Sequence, residues 1–352
     1  MRFVPELLKL AKFNYKIDLI TIDKNRFDKI SKAFFNKKIM IVGDVMVDEY
    51  LFGNVDRLSP EAPVPVIEIK EEKLKFGGAA NVAANVKGLG CIPLLVGGVG
   101  NDTVSEVFIN MLTAEGMNNE GIIRFSERPT TVKTRIIGRS QHVARVDRES
   151  CAPLNHEETK QVIDRIRQYI TEVDAIILED YNKGFLNERV IKESVTLAST
   201  HKKIITVDPK FTNFMHYKHV NVFKPNIKET EKALAVVIDN EEDLISAGKR
   251  LLNQLQADNV LITRGAAGMT LFESKGSISH VPTKAWHVAD VSGAGDTVIA
   301  TLTAALTGDS SIGEAATLAN YAAGIVCREI GVVPIAIEAM IEEYFGEHHK
   351  NK

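Results

Sequence analysis

From residue 155 to the carboxyl terminus, strand-like and helix-like segments alternate, and this pattern limits the chain to one architecture. Residues 155–172, 187–200, 227–236 and 241–255 carry apolar residues at helical spacing. Between them lie short apolar runs at 174–179, 203–207, 220–223 and 259–263. Strands separated by helices must run parallel, and a sheet covered on both faces needs such uninterrupted apolar strands. Lys38 to Asp44, KIMIVGD, reads as the buried first strand of this sheet. Two further helices, 312–328 and 335–346, complete the chain. The expected fold class is α/β with a doubly covered, mainly parallel sheet.

In such sheets ligands sit at the carboxyl ends of the strands. Polar residues recur there: Asp44, Asp180, Asp208, Asn226, Thr263 and, before the next helix, Asp296. Residues 290–297, DVSGAGDT, form a small-residue turn that opens the apolar helix Val298 to Thr307, with Gly308 as its stop. Gly293, Ala294 and Gly295 let backbone N–H groups approach a ligand, and a helix N-terminus is a seat for phosphate. Asp296 lies inside that anion site. An isolated GxGD would be read as an acid in a first helical turn, and only the rest of the chain changes that reading.

A second small-residue start, Phe76-Gly77-Gly78-Ala79-Ala80-Asn81, opens a helix that Gly90 closes. Asn81 and Asn85 read either as surface amides or as hydrogen-bond partners of sugar hydroxyls. Residues 93–98 form the next strand. Gly97 to Asp102 lacks both the GxGxxG and the GK[ST] spacing, so it reads as a strand-to-helix turn, and a dinucleotide-binding dehydrogenase is improbable.

Two stretches depart from the alternation. About 49–75 and 130–147 alternate apolar and polar residues as half-exposed strands do, and Pro60, Pro63 and Pro65 confine the first to edge positions. Together they are expected to form a small β lid over a cleft or a dimer contact. Residues 1–36 read as an N-terminal helical extension, with short amphipathic helices around Leu7–Phe13 and Phe27–Phe34, ahead of a main domain at 37–347.

Bulk properties exclude several classes. A net charge of −3 gives no footprint for nucleic acid. Cys91, Cys151 and Cys327 are far apart and odd in number, so they form neither a disulfide framework nor a metal-ligand spacing. Lysines and Glu6 interrupt the apolar residues of 1–16, and no run is long enough to span a membrane. A cytoplasmic location is expected.

GGAANVA at 77–83, NIKE at 226–229 and DVSGAGDT at 290–297 stand in one order. Together they resemble the ribokinase (PfkB) family of sugar kinases, from about residue 38 onward. GDVMVDEYLFG at 43–53, RLSPEAPVPV at 57–66, DYNKG at 180–184, DPK at 208–210 and KPN at 224–226 narrow the resemblance to the D-glycero-D-manno-heptose 7-phosphate kinases. Ser292 stands where that family often has Thr, and Ala300-Thr301 replaces a glycine-containing pair. No HxGH nucleotidyltransferase motif occurs, so a stand-alone kinase is expected.

The resemblance implies ATP and Mg²⁺, with a monovalent cation as an option, and a phosphorylated sugar as acceptor. It implies Asp296 as base and the backbone of Gly293, Ala294, Gly295 and Asp296 as the anion hole. Asn226 and Glu229 would hold Mg²⁺ through water, and Asn226, Ile227, Lys228 and Glu229 would border the triphosphate. By themselves Asn226 and Glu229 read as a helix cap. Thr263, Gly265, Gly268 and Asn320, with Ala323 and Gly324, would border the adenine. Asp44, Asp48, Gly77, Gly78, Asn81 and Asp180 would face the sugar. Arg139, Arg145, Lys183 and Lys210 are the cations available to its phosphate. A homodimer through the lid is expected. The competing readings are another kinase of the same fold acting on fructose, ribose or a nucleoside, and a non-catalytic ligand-binding protein.

Overall fold

The computed structural model describes residues 21–138, 141–283, 289–329 and 331–350. The helix proposed around Leu7–Phe13 lies outside the described residues. The first described helix, α1 (Lys24–Phe34), starts at Asp23, whose side chain accepts from Arg26 N. Then follow β1 (Lys38–Gly43), β2 (Val45–Leu58), β3 (Pro65–Gly78), α2 (Ala79–Gly88), β4 (Ile92–Gly100), α3 (Thr103–Ala114), β5 (Ile122–Phe125), β6 (Val132–Gly138) and β7 (Gln141–Arg148). The alternating part comprises α4 (His156–Tyr169), β8 (Ala175–Glu179), α5 (Glu188–Thr200), β9 (Ile204–Asp208), β10 (Val222–Phe223), α6 (Ile227–Leu234), α7 (Glu241–Leu255) and β11 (Asn259–Thr263). It ends with β12 (Met269–Glu273), β13 (Ile278–Val281), α8 (Ala294–Thr307), α9 (Ile312–Val326) and α10 (Ile337–Lys350).

The main sheet has nine strands in the order β13-β12-β11-β10-β9-β8-β1-β4-β5. It is parallel from β5 to β11, and only β12 and β13 run antiparallel. Strand pleat sends successive side chains to opposite faces, and both faces here are buried. Ile39 and Ile41 join one apolar layer with α1, α2, α3, α8 and α9, through side chains such as Phe27, Val82, Phe108, Ile299 and Leu318. Met40 and Val42 join the other with α4, α5 and α7, through Val162, Ile191 and Leu251. The doubly covered parallel sheet expected from the alternation is therefore present.

Three local features depart from expectation. β4 continues through Gly97 and Gly98 to Gly100, so these glycines are strand residues, and the turn into α3 is made by Asp102, whose carboxylate accepts from Ser105 N. The antiparallel hairpin β12–β13 follows directly after the Thr263–Gly268 stretch, where no strands were expected, and β5 adds an edge strand. Strand alternation begins at once after β1: β2 starts at Val45, not near Glu49, and β3 runs on to Gly78.

β2, β3, β6 and β7 make a separate four-stranded sheet in the order β3-β2-β6-β7. Its β7 is exposed along its whole length. Among the described residues no helix is long and apolar enough to cross a membrane.

α1 belongs to the core. Phe27, Ile30 and Phe34 are buried in the layer that holds α8, and Arg26 forms a bidentate pair with Glu314. Phe27 also meets the Phe345 ring edge-on at 5.3 Å. Phe27→Ala should therefore lower unfolding free energy by about 3–5 kcal/mol, the usual loss for a buried Phe. Urea denaturation checks this, and a loss within about 0.5 kcal/mol, the range of surface substitutions, would mean that α1 is not integral to the core.

Candidate active site

The strand ends of the main sheet stand in register. Gly43, Glu179 and Asp208 are lateral partners across β1, β8 and β9. Lys224 follows β10, and Asn226 bridges to Thr263 at the end of β11. α8 enters this rim with its N-terminus.

The turn before α8 is clamped by Asp290, whose two carboxylate oxygens accept from Ser292 N and Gly331 N, each at 2.9 Å. Gly293 takes the left-handed conformation with φ 78°, and no side chain caps the helix. A Cβ on Gly293 would also meet Asn81 Nδ2 at 3.0 Å. Ala294 N donates back to Val291 O, so its amide is engaged within the turn and does not serve the expected anion hole. The uncapped amides of Gly295 and Asp296 form the open positive end. A Cβ on Gly295 would lie 3.5 Å from Asp208 Oδ2 and 3.6 Å from Lys224 Nζ, which places this ion pair beside the helix start.

Asp296 is buried, and both its oxygens are held. Asn81 Nδ2 donates to Oδ2 at 2.6 Å and the Tyr181 hydroxyl donates to Oδ1 at 2.8 Å. Asn81 is in turn fixed by Asn85, which donates to its backbone carbonyl at 2.8 Å and accepts from Thr297 Oγ1 and Ile335 N. The two asparagines are thus interior struts joining α2 to α8, and neither is a surface amide. Burial pushes the Asp296 carboxyl up to about 6, against the Asn81 and Tyr181 hydrogen bonds, which favour the charged form.

Glu179, Asp208 and Asp296 bring carboxylate oxygens within 4.8 Å of one another. The countercharge comes from lysine. Lys224 Nζ lies 2.8 Å from Asp208 Oδ2, and Lys210 Nζ lies 2.7 Å from Glu229 Oε1 and 3.7 Å from Asp208 Oδ1. Burial alone would raise Asp208, but the two ammonium groups outweigh it and hold the carboxylate below its usual range. Glu179 is fully buried, and neither of its carboxyl oxygens has a hydrogen-bond partner. Burial, with the charges of Asp208 and Asp296, raises it far above the ordinary range and so favours its neutral form.

Asn226 and Glu229 form a complete capping box at the start of α6, each side chain accepting the other's backbone N–H at 2.8 Å. Both keep unused lone pairs and are half-exposed or nearer the surface than Asp208, so they suit a hydrated cation better than direct ligation. Ile227 and Lys228 are the next residues of that helix.

Several expected site residues have partners within the protein. Asp44 is buried and accepts the backbone N–H groups of Tyr181, Lys183 and Phe185, which shapes the DYNKG loop; burial and then the nearby Asp180 push it up to about 6. Asp180 accepts from the Tyr217 hydroxyl at 2.7 Å, so it anchors that loop to the opposite apolar layer. Asp48 is paired with Arg135 at 2.6 Å, and Lys183 with Glu149 at 2.6 Å. Arg145 pairs with Asp147 on exposed β7. Arg139 lies outside the described residues. On the proposed nucleotide side, Thr263 N donates to Pro225 O and Gly265 has open space around it. Gly268 is fixed by packing, since a Cβ there would reach Val281 O at 2.1 Å. Asn320 Nδ2 donates to Pro282 O at 2.8 Å, which makes it a brace for the segment after β13.

Residue-type reasoning missed Tyr181, Glu179 and Lys224, and placed Asp208 on the rim without a specific role. Tyr181, Glu179 and Lys224 also stand at strand ends, in LEDY and FKPN, and the position that marked Asp208 could have marked them.

A family model described as pfkB family carbohydrate kinase matches residues 36–339. This chain belongs to the pfkB family of carbohydrate kinases. It is 41% identical over 302 residues to the bifunctional protein HldE of Helicobacter pylori strain J99, covering 86% of this chain and 65% of that protein. It is 37% identical over 327 residues to HldE of Trichlorobacter lovleyi, covering 93% and 67% respectively. The chain thus spans about two thirds of the length of the curated relatives it matches. Among solved structures, phosphofructokinase-2 from Escherichia coli in complex with potassium superposes with a TM-score of 0.73 at 16% identity, covering 89% of this chain and 99% of that one. Arabidopsis thaliana ribokinase complexed with ribose and ATP gives 0.70 at 15%, covering 88% and 99%. These likenesses confirm the ribokinase-like fold. A pfkB-family carbohydrate kinase is a phosphotransferase that uses ATP, typically with Mg²⁺, on a sugar hydroxyl.

If Asp296 accepts the proton, it must be ionised. With its carboxyl at about 6, kcat should fall as pH drops through that value and level off above it. A pH profile at saturating substrates checks this, and a flat profile down to about pH 5 would exclude Asp296 as the titrating base.

Proposed function

We propose that the chain transfers the γ-phosphoryl group of ATP to the anomeric hydroxyl of D-glycero-D-manno-heptose 7-phosphate, yielding heptose 1,7-bisphosphate for ADP-heptose and lipopolysaccharide core synthesis. The observation that carries the reading is Asp296, a buried carboxylate at the uncapped N-terminus of α8, with Lys224 and Lys210 close by. The RLSPEAPVPV and DYNKG stretches, and the relatives that share most of this chain, support heptose 7-phosphate over other sugars.

In this reading the acceptor hydroxyl gives its proton to Asp296 as its oxygen bonds to phosphorus and the bond to ADP breaks. The proton is held in a buried pocket whose carboxyl already sits at about 6, close enough to neutrality to accept and release it. The Gly295 and Asp296 amides face the phosphoryl oxygens, where a pre-oriented helix end stabilises negative charge without reorganisation. Lys224 and Lys210 add positive charge. Asn226 and Glu229 would hold Mg²⁺ through water, and the ion would neutralise charge on the triphosphate. Asp48, Gly77, Gly78 and Asn81 border the sugar, and Lys183 and Arg139 are cations for its distal phosphate. A monovalent cation is an optional further requirement. Catalysis is placed in the cytoplasm.

The four-stranded sheet is proposed as both lid and dimer surface. Leu58, Ile69, Leu74, Val143 and Val146 are exposed on its strands, apolar side chains that a partner subunit would cover. Light scattering should give a dimer mass, and a monomer at micromolar concentration would remove this part of the reading.

The substrate is tested by ATP turnover across a sugar panel, with NMR of the product to fix position and anomer. Heptose 7-phosphate should be the preferred acceptor, and rapid phosphorylation of fructose or adenosine without heptose 7-phosphate activity would refute the assignment. Asp296→Asn should retain ATP binding while kcat falls about 10²–10⁴-fold, the range supplied by a positioned base. An unchanged rate would refute Asp296 as base.

A further inference from the structure

We infer that Tyr181 is a positioning residue for phosphoryl transfer, its hydroxyl fixing the Asp296 carboxylate in the orientation from which it takes the acceptor proton. This rests on Asp296 being the base, as proposed above.

A carboxylate rotates readily about its last torsion, which has broad, twofold wells. Asn81 holds only Oδ2; the Tyr181 hydroxyl, 2.8 Å from Oδ1, holds the other oxygen and so defines the plane. Each carboxylate oxygen has a second lone pair, so both donors can remain while a hydroxyl approaches.

Tyr181 is itself well placed to do this. Its backbone N–H is tied to Asp44 Oδ2 at 2.7 Å, so the end of β1 sets where the ring sits. Burial, and then the Asp296 charge, raise the phenol far above its ordinary range, so it stays a donor wherever the enzyme works. Lys210 Nζ lies 5.2 Å and Lys133 Nζ 5.6 Å from the ring centroid, within cation–π range. Lys210 belongs to the DPK turn and contacts Glu229, whereas Lys133 comes from lid strand β6. The ring therefore joins lid, phosphate side and base. Packing alone would be met by a phenylalanine; a hydroxyl buried here carries a desolvation cost that only its bond to Asp296 offsets.

Other groups also act on Asp296, and the test must separate Tyr181 from them. Asp208 adds negative charge from the β9 end, Glu179 at the β8 end is a buried carboxyl whose neutral form is favoured, Lys210 adds positive charge from the turn after β9, Lys224 stands beside Asp208 after β10, and Asn81 on α2 is neutral. None of these is altered by Tyr181→Phe, which keeps the ring between its lysine neighbours and so spares the packing.

The experiment is a double-mutant cycle of Tyr181→Phe and Asp296→Asn, read with radiolabelled ATP, nucleotide binding and pH profiles. Tyr181→Phe should lower kcat about tenfold, the loss of one hydrogen bond to a charged group, with ATP affinity within about twofold. Removing a bond that favours the carboxylate raises its pKa, so the acid limb should move about one unit to higher pH. In the Asp296→Asn background the same substitution should cost almost nothing, because its effect runs through the carboxylate. A wild-type kcat and pH profile in Tyr181→Phe, or a fully additive loss in the double variant, would overturn the inference. Full activity in Asp296→Asn alone would instead overturn the assignment of the base.

Discussion

The interaction on which the site depends is the buried pairing of Lys224 with Asp208. Glu179, Asp208 and Asp296 crowd their carboxyl groups into one space, and three anions could not share it. A charge pair at 4 Å is worth about 4 kcal/mol in a protein-like medium, so the arrangement holds only if the signs balance. They do so by division of labour. Lys224 and Lys210 favour the ionised form of Asp208, burial favours the neutral form of Glu179, and Asp296 is raised to about 6. That shift is set first by burial and then trimmed by the Asn81 and Tyr181 hydrogen bonds, which favour the charged form.

The fold supplies the crowding. Parallel strands end on one side of the sheet, so the residue after each strand is delivered to a common rim, in register from Gly43 through Glu179 to Asp208. The apolar layers on both faces keep water away from the rim's floor. α8 is almost wholly buried, which lets its N-terminus point at the rim from below with its amides uncapped. Low dielectric strengthens both the helix-end field and the ion pairs.

Much of this was legible in the sequence, because the alternation of strands and helices and the polar strand ends follow from periodicity alone. What periodicity cannot supply is the partner of each polar group. Asp180 and Asp296 look alike as strand-end and helix-start acids, yet one is taken up by Tyr217 and the other by Asn81 and Tyr181. Asn320 looked like a nucleotide contact, yet it braces Pro282. Tyr181 was invisible for the same reason: an aromatic residue in a polar loop reads as packing until its hydroxyl is found against a carboxylate. The β12–β13 hairpin was hidden because its glycine-rich approach, TRGAAG, matched the nucleotide-loop reading.

The diglycine at 77–78 shows how a motif can answer two demands at once. β1 hands over to β2 at Asp44, and β3 returns to that point before turning into α2, so two strands and a helix cross at one backbone carbonyl. Ala79 N donates to Asp44 O at 2.9 Å, Gly78 turns with φ 58°, and a Cβ on Gly78 would reach Asp44 O at 2.3 Å. A Cβ on Gly77 would strike Asp48 Oδ2 and Met46 Cγ, each at 2.7 Å. The crossing alone therefore requires both glycines, before any ligand is considered. The same crossing ends β3, a strand of the four-stranded sheet, three residues before Asn81, which grips Asp296. A shift of the four-stranded sheet at this joint would bear on Asn81, so the chain geometry that dictates the glycines also joins that sheet to the Asp296 carboxylate.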